Sequence, residues 1–458
     1  MFVPSKPVGS PMSQPKWFTR EIAATIRKRK AAYRQFRRTA EEQPATKVVT
    51  PQSLVTEEEV KAALRLDKGS DALLKSWSMV DFTKKGDNYG CVVSSVQGQY
   101  SLNQENMEVV YIAKLNPCRH IKEYEEMTSV MFRKESEFYL NLVPELNSVL
   151  TEVGQKALRF PKCFHGCMDK NKEVILLEDL RPQGYQMFDR RRGLDVAHIT
   201  LILKELGRLH ASSRLLQAKT PDLDLAVTHD FLVPDIFADE SMGLRDVFHR
   251  QLDQSIDLLE RFGGSERSIA WVKSLKLEFV QLLTKHLGRS KYNVVCHGDC
   301  WNNNVLFRYN DDGEPVEVML LDLQINRLSS PATDLIYLMY TSLNGEVRIP
   351  NLNTFLDTYY DTFNTVMEVA GMDMIFTRSE LLKEFRSMNV LGAIYAMAVV
   401  PFVLCEPEDT PDMDKAENID EILMEVKEKT LVALNKYPLM KPRFLSIFDE
   451  MMDLGLIP

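Results

Sequence analysis

The chain has 458 residues, of which 45% are apolar and 26% are charged, and its formal net charge is −9. This composition is typical of a globular protein with a large core, and no apolar run is long enough to span a bilayer. An acidic body argues against nucleic acid as the ligand of the main domain, and residues 1–10 lack an apolar signal region, so we expect a cytoplasmic protein without a membrane partner. These properties do not indicate an oligomeric state.

The first 50 residues differ from the rest of the chain. Residues 1–47 contain eleven Lys or Arg and three acidic residues, which gives a net charge near +8, against about −17 for the remainder. Residues 1–15 are rich in Pro and Ser, which predicts disorder, and helical spacing predicts a basic helix over 17–42. We interpret residues 1–50 as an appendage outside the catalytic domain; the alternative is an arm that binds nucleic acid or a membrane surface.

The basic helix also resembles the stretch that precedes the polymerase domain in non-long-terminal-repeat retrotransposon proteins. On that interpretation residues 1–50 are a transposon-derived segment.

Residues 55–180 have the pattern of a small β-rich lobe. Thr56-x-x-Glu59 is a capping box, which predicts a helix from there to Leu66, and a longer helix is predicted over 122–142. Short β-like runs occupy residues 79–82, 91–96, 108–115 and 174–180.

Two features of this lobe are candidate ligand-binding elements. The loop from Lys84 to Gly90 contains Gly86 and ends on a second glycine, so a phosphate group could approach its backbone N–H groups; an ordinary hairpin turn is the alternative. Lys114 ends an apolar strand, which directs its ammonium group to one fixed place; a solvated edge lysine is the alternative.

An acidic residue of the helix over 122–142 is expected to pair with Lys114. Glu135 lies beside the apolar face that Phe138 marks, and Glu137 is a competitor that spacing alone leaves open.

The strand over 174–180 ends in Glu178-Asp179-Leu180. At this position the main chain of Glu178 and Leu180 would hydrogen-bond a purine at a hinge between two lobes. The alternative is a strand that ends in a solvated acidic turn.

The most informative stretch of the chain runs from His297 to Asn304. It contains the pattern His-Gly-Asp-x-x-x-x-Asn, in which Asp299 precedes Asn304 by five positions. Phosphotransferases with a kinase-like active site use this arrangement: the aspartate orients or accepts the proton of a substrate hydroxyl, and the asparagine holds a magnesium ion.

The residues that follow predict a hairpin. Strands are expected over 305–309 and 316–321, with a turn at Gly313. Such a hairpin brings Asn304 and Asp322 side by side at its open end. Because Mg²⁺ prefers oxygen ligands, the sequence predicts a magnesium site there; a surface hairpin with polar ends is the alternative.

Residues 181–440 have the pattern of a mostly helical lobe, and residues 441–458 form a C-terminal tail. We interpret His210 as a packed structural histidine, His297 as a residue that orients its own loop, and Asp334 as a helix cap or a brace for a loop. Helices are predicted over residues 198–216, 244–262, 269–287, 352–370, 378–403 and 419–434.

Four motifs of the chain, Leu176–Leu180, His297–Asn304, Leu321–Gln324 and Ser330–Leu335, carry a resemblance to a known family. Over about residues 55–440 the chain resembles the ecdysteroid kinase-like (CHK kinase-like) family of the aminoglycoside phosphotransferase and choline kinase superfamily. Leu323 stands where phenylalanine is commoner in that family. The resemblance implies an α+β, bilobal protein-kinase-like fold with a small β-rich N-lobe and a large helical C-lobe. It also implies ATP, Mg²⁺ and phosphorylation of a small-molecule alcohol, which is a steroid hormone for the named members.

On this interpretation Asp299 is the catalytic base, and Asn304 and Asp322 bind Mg²⁺. Lys114 steadies the nucleotide phosphates, Glu135 steadies Lys114, and the loop with two glycines covers the phosphates.

Two other functions stay open from the sequence. A choline- or aminoglycoside-type kinase would bind a cationic substrate in a pocket lined by carboxylates or aromatic rings, whereas a steroid site would be larger and mostly apolar. A catalytically silent binding protein could also keep the fold.

Overall fold

The structure, a computed structural model, describes residues 49–82, 90–119, 122–222, 224–233, 244–403, 425, 429 and 436–458. The predicted basic helix over 17–42, Gly86 with most of its loop, and nearly all of the predicted helix over 419–434 lie outside the described residues. Residues 50–458 belong to one compact unit.

A five-stranded antiparallel sheet forms the first lobe. Numbered one to five along the chain, its strands lie in the order 1-2-3-5-4. The turn between the second and third strands is formed by Asn103 and Gln104, whose φ values of 51° and 68° match the right-handed twist of a tight hairpin. The strands are β1 Leu73–Asp81, β2 Val92–Leu102, β3 Glu105–Leu115, β4 Cys163–Cys167 and β5 Val174–Glu178.

Helices on the sheet begin as the sequence predicts. Helix α1 (Glu57–Lys68) opens with a capping box, in which the Thr56 N–H donates to Glu59 Oε2 at 2.7 Å. Helix α2 (Lys122–Glu137) continues through a π-helical segment, Phe138–Leu142, into α3 (Val143–Glu152).

The second lobe is mostly helical. One predicted helix, over 378–403, is wrong as a single element, because the chain breaks at Met388 into two helices. The second of these passes so close to the helix that contains Tyr340 that a Cβ at Gly392 would lie 2.7 Å from the Tyr340 ring. The helices are α4 Val196–Lys219, α5 Leu225–Thr228, α6 Leu244–Phe262, α7 Glu266–Leu287, α8 Pro331–Ser342, α9 Gly345–Val369, α10 Arg378–Ser387, α11 Asn389–Val403 and α12 Met440–Asp453.

Two short strand pairs determine the position of the His297–Asn304 motif. Strand β6 (Val294–Cys296) pairs antiparallel with β9 (Arg327–Ser329), so both ends of the segment 297–326 start from one edge. Between them, β7 (Val305–Tyr309) and β8 (Pro315–Leu320) form the predicted hairpin. The catalytic-loop candidate and the residues after β8 are therefore neighbours.

The predicted α+β, two-lobed arrangement is confirmed: a β-rich first lobe precedes a helical second lobe. Residues 441–458, which the sequence set apart as a tail, lie mostly in α12, whose Phe444, Ile447 and Met451 are buried. Within the described ranges, no helix is both long enough and apolar enough to cross a membrane.

Candidate active site

Lys114, at the end of β3, donates to two carboxylates from distant parts of the chain. Its Nζ lies 2.5 Å from Oε2 of Glu135 in α2 and 2.8 Å from Oδ1 of Asp322, which follows β8. Glu137 instead accepts a hydrogen bond from Asn141. Of the two glutamates that the sequence left open as partners of Lys114, the structure therefore has Glu135. Strand β3, helix α2 and the segment after β8 all meet at the Lys114 ammonium group.

Because the cluster is buried, the charged state of Lys114 depends on its two carboxylate partners. Lys114 is 8% exposed and Glu135 is 2% exposed. Burial alone would lower the pKa of Lys114, but the carboxylates of Asp322 and Glu135 outweigh it and raise that pKa well above its ordinary value. Burial raises the pKa of Glu135 to about 7, although Lys114 opposes the shift. The ammonium group therefore stays charged, and removing one partner alone would leave a costly buried charge.

A second buried lysine ties α2 to the loop that contains Asp322. Lys134 Nζ donates to the carbonyl oxygen of Asn326 at 2.8 Å, and Asn326 Nδ2 donates to the carbonyl oxygen of Lys134 at 3.1 Å. Because Glu135 is the next residue after Lys134, this reciprocal pair joins the two segments whose carboxylates hold Lys114.

The loop His297–Asn304 follows β6 and passes very close to another part of the backbone. Gly298 has a φ of +88°, and a Cβ there would lie 2.1 Å from the carbonyl oxygen of Ile325, so the position requires glycine. Cys296 and Cys300 flank the motif and are fully buried. Burial raises the pKa of both thiols well above the ordinary value.

Asp334 braces this loop from α8. Its fully buried carboxylate accepts hydrogen bonds from the backbone N–H groups of His297 at 2.7 Å and Gly298 at 2.9 Å. The bracing role that the sequence suggested is thus present. The capping alternative is wrong, because Ser330 is the N-cap of α8 and Asp334 lies inside the helix.

The two histidines singled out by the sequence are both buried. The ring of His210 lies between Asp334 Oδ2, 3.1 Å from Nε2, and the Tyr359 hydroxyl, 2.8 Å from Nδ1. Nδ1 of His297 accepts from the backbone N–H of Asp299 at 3.3 Å. Both contacts fit the structural roles expected for these residues.

The carboxylate of Asp299 receives hydrogen bonds on both oxygens. Tyr337 donates its hydroxyl to Oδ1 at 2.7 Å, and Asn304 Nδ2 donates to Oδ2 at 2.9 Å. Burial raises the pKa of Asp299 to about 7 and the charge of Asp322 adds to this, while hydrogen bonds from Tyr337, Asn304 and Gln324 oppose it. The side chain keeps partial exposure, and a carboxyl group that titrates near neutrality is suited to accept a proton there.

Asn304 and Asp322 lie at the open end of the hairpin, where the Leu321 N–H donates to the Asn304 carbonyl oxygen at 2.9 Å. Asn304 Nδ2 donates to two oxygens of Asp299. Neither Oδ1 of Asn304 nor Oδ2 of Asp322 has a hydrogen bond to any described residue. Asp322 also has a left-handed backbone, with φ +63°, a strain typical of functional sites. Two available oxygens beside one cleft fit a hard divalent cation.

A cleft of about 390 Å³ lies between the sheet and the hairpin, a size typical of small-molecule sites. Asp299 and Gly90 lie beside it: Asp299 accepts a hydrogen bond from the lining residue Asn304, and Gly90 immediately precedes the lining residue Cys91. The predicted residues that line the cleft are Lys114, Glu135, Glu178, Leu180, Asn304 and Asp322.

The candidate hinge forms one wall of this cleft. The Glu178 N–H donates to the Lys162 carbonyl oxygen at 2.8 Å, and the Glu178 carboxylate accepts from Gln183 Nε2 at 2.9 Å. Leu180 is buried, and its N–H has no hydrogen-bond partner within the described part of the chain. A main-chain donor is therefore available to a ligand at this wall.

Two residues that touch Asp299 were not predicted from the sequence as part of the site. Gln324 was part of a quoted motif without a role, and Tyr337 was not singled out at all. The signal for Tyr337 was a hydroxyl inside the otherwise apolar run Leu335-Ile336-Tyr337-Leu338. No spacing rule connects that hydroxyl to a carboxylate 38 residues earlier.

A model of the ecdysteroid kinase-like family matches residues 85–372, which is more than half of the chain. An uncharacterised oxidoreductase of Caenorhabditis elegans, dhs-27, is 22% identical over 299 residues, which are 63% of this chain and 34% of that protein. The chain thus spans about a third of the length of this relative.

Two solved structures show more remote similarity. A mutant aminoglycoside 2'-phosphotransferase-IIIa in complex with GDP covers 84% of this chain and 100% of its own, with 9% identity and a TM-score of 0.36. An AMP-bound spectinomycin phosphotransferase covers 66% of this chain and 90% of its own, with 15% identity and a TM-score of 0.30. TM-scores below 0.5 leave both similarities without weight for the function of this chain.

Replacing Asp334 with Asn should loosen the catalytic-loop candidate. Burial would raise the pKa of Asp334, but the hydrogen bond and charge of His210 outweigh it and lower that pKa. We expect Asp334→Asn to lower the free energy of unfolding by about 3 kcal/mol at pH 7, because two N–H groups lose a charged acceptor.

A group with a depressed pKa stabilises the fold above its unfolded pKa and loses that effect as the pH falls through the folded value. The difference in the free energy of unfolding between Asp334→Asn and the wild type should therefore be constant around neutral pH. It should become smaller only below about pH 4. Denaturant unfolding across this range measures it, with Asp357→Asn, which removes an exposed carboxylate paired with Arg378, as the control. Equal stability of Asp334→Asn and wild type at pH 7 would contradict the brace.

Proposed function

This chain belongs to the ecdysteroid kinase-like family, and from that premise we propose that it is an ATP-dependent small-molecule kinase that transfers the γ-phosphate to an alcohol. The observation that carries the proposal is the convergence at one cleft of the Lys114 ion-pair cluster, Asn304 and, beside them, Asp299. Phosphoryl transfer depends mainly on positioning and charge neutralisation. The cluster supports the positioning, and Lys114 together with a bound divalent cation would supply the positive charge.

In the proposed mechanism Asp299 orients the acceptor hydroxyl and accepts its proton as the oxygen attacks the γ-phosphorus. The bond between that phosphorus and the β–γ bridging oxygen breaks, and ADP leaves with the bonding electrons. A pKa of about 7 supports this role, because the carboxylate is present at neutral pH and is still basic enough to take a proton. Tyr337 and Asn304 hold the carboxylate in one orientation through their hydrogen bonds.

The nucleotide would lie in the cleft between the lobes. Lys114 would contact the α- and β-phosphates, and its hydrogen bond to Glu135 would keep the ammonium group in place. The N–H of Leu180, which has no partner among the described residues, would donate a hydrogen bond to a purine ring nitrogen at the wall formed by Glu178–Leu180. The loop of Gly86 and Gly90 would cover the phosphates.

Asn304 Oδ1 and Asp322 Oδ2 would hold a magnesium ion. When bound, such an ion supplies positive charge that offsets the charge of the phosphate oxygens. Support comes from the chain itself: the Asn304 amide nitrogen is committed to Asp299, which directs its oxygen away from that carboxylate.

The acceptor in this proposal is an ecdysteroid or another lipophilic hydroxylated compound, as the family name indicates. The oxidoreductase activity in the name of the Caenorhabditis elegans relative is not part of this proposal, because the match covers only 34% of that protein. A cytoplasmic location stays a prediction from the sequence.

A phosphate-transfer screen tests the function. Wild type with Mg-ATP is offered steroids, amino alcohols and plant glycosides, and products are identified by mass spectrometry. We expect a phosphorylated steroid or similarly apolar alcohol, and in Asp299→Asn a loss of turnover of at least about a hundredfold with ATP binding retained.

The outcome of the screen distinguishes the proposed function from its two alternatives and tests the role of Asp299. Transfer to amino alcohols or aminoglycosides alone would favour the cationic-substrate kinase. Absence of transfer to every alcohol would leave a silent binding protein, and wild-type turnover in Asp299→Asn would remove Asp299 from the mechanism.

Replacing Asp322 with Ala should weaken Mg-ATP binding by at least about tenfold, because an oxygen ligand of the cation and a partner of Lys114 are lost together. Isothermal titration calorimetry measures the affinity. Asp311→Ala, at an exposed position of the hairpin turn, is the matched control and should bind like wild type. Unchanged affinity in Asp322→Ala would argue against a cation at the hairpin mouth.

Replacing Tyr337 with Phe should lower kcat by about tenfold while the KM for ATP stays the same, because the phenol positions Asp299 and does not line the nucleotide cleft. Steady-state kinetics at saturating acceptor give both constants. Tyr360→Phe, on α9 beside Phe376, controls for loss of a hydroxyl elsewhere. A raised KM with an unchanged kcat would be inconsistent with a positioning role.

A further inference from the structure

The segment that carries Asp322 has no regular structure of its own. Residues 321–326 lie between β8 and β9, outside any helix or strand. Within this segment Asp322 has a left-handed backbone, which a non-glycine residue keeps only where its surroundings hold it. The position of the Asp322 carboxylate therefore depends on the contacts that the 321–326 segment makes with the rest of the chain.

Helix α2 supplies such contacts through a buried lysine. Lys134 is 1% exposed, and its Nζ donates hydrogen bonds to the carbonyl oxygens of Asn326 and Phe231, each at 2.8 Å. Asn326 ends the 321–326 segment, and Phe231 lies shortly after α5. One ammonium group thus joins the C-terminal part of α2 to two segments of the second lobe.

The side chain of Asn326 bonds back to α2. It is fully buried, and its Nδ2 donates to the carbonyl oxygen of Lys134 at 3.1 Å and to that of Leu323 at 2.6 Å. The opposite orientation of this amide would place its oxygen against both carbonyl groups, so the two hydrogen bonds determine its orientation. Leu323 is itself buried and is the residue after Asp322.

These contacts form a closed ring with the ion pairs of Lys114. In α2, Glu135 is the next residue after Lys134. The carboxylates of Glu135 and Asp322 both accept hydrogen bonds from the Lys114 ammonium group. A shift of the 321–326 segment relative to α2 would therefore break hydrogen bonds at Lys114 and at Asn326 together.

We propose that Lys134 is a positioning residue for the binding of Mg-ATP. Through Asn326 it holds the 321–326 segment against α2, so that the Asp322 carboxylate can contact Lys114 and a cation at the same time. This role rests on the proposed kinase function, and Lys134 itself does not line the cleft. Loss of a residue that orients a metal ligand typically weakens metal binding by a factor of about 10 to 100.

Isothermal titration calorimetry of the full chain, with Mg-ATP and with adenosine as separate ligands, tests this role. Adenosine has no phosphate group, so it reports on the wall at Leu180 and not on the metal site. Lys134→Met should bind Mg-ATP about tenfold more weakly than wild type and bind adenosine with unchanged affinity. Asn326→Ala should change the two affinities in the same way but to a smaller extent, because the bonds donated by the lysine remain.

A double variant shows whether the two side chains act as one link. Because each substitution weakens the same connection, Lys134→Met combined with Asn326→Ala should bind Mg-ATP about as weakly as Lys134→Met alone. Arg133→Met is the matched control, since it removes a neighbouring cation of α2 that pairs with the exposed Asp230. It should bind both ligands like wild type.

Unchanged affinity for Mg-ATP in both single variants would overturn the proposal. An equal loss of affinity for Mg-ATP and adenosine would also overturn it, because that result indicates a role in folding alone. Asn326→Ala keeps the buried lysine, so the test does not depend on whether Lys134→Met folds. Failure of wild type to bind either ligand would refute the proposed function itself, whereas wild-type binding with unaffected variants would refute only the positioning role.

Discussion

The position of one ammonium group constrains the whole active-site candidate. Lys114 comes from the sheet, Glu135 from the helix beside it, and Asp322 from the loop after β8, and their charged atoms lie within hydrogen-bonding distance. In a buried setting such a cluster is stable only when all three members are present. The ion pairs of Lys114 therefore join the first lobe to the second lobe, in addition to the packing between them.

Contacts within the second lobe determine where the catalytic-loop candidate and the segment that contains Asp322 lie. Pairing of β6 with β9 starts the catalytic-loop candidate and returns the chain after Asp322 at the same edge. Asp334 then holds two successive N–H groups of that loop, and the close approach of Gly298 to Ile325 fixes its path. Asp299 and Asp322 are thus positioned by backbone contacts before any ligand is considered.

The sequence predicted those parts of the site whose geometry follows from local rules. The hairpin that joins Asn304 to Asp322 was predictable because an Asp-Gly turn and flanking apolar strands specify its register. The pairing of Lys114 with a helix carboxylate was predictable as a class, but the direction in which α2 turns its side chains decided between Glu135 and Glu137.

Contacts between distant segments could not be predicted in this way. Tyr337 reaches Asp299, and Asp334 reaches His297, only because α8 packs against the loop. The close approach of Gly392 to the Tyr340 ring likewise depends on packing between α11 and α8. Periodicity reports which face of a helix is apolar, but not which neighbour it meets.

The two thiols that flank the motif have a chemical consequence. Cys296 and Cys300 are fully enclosed, and their raised pKa values keep them protonated. Since the thiolate is the reactive form, both sulfurs are shielded from alkylating reagents and from peroxide while the chain is folded. Oxidative stress or an electrophilic toxin would therefore have to unfold this segment before it could damage the cysteines next to Asp299.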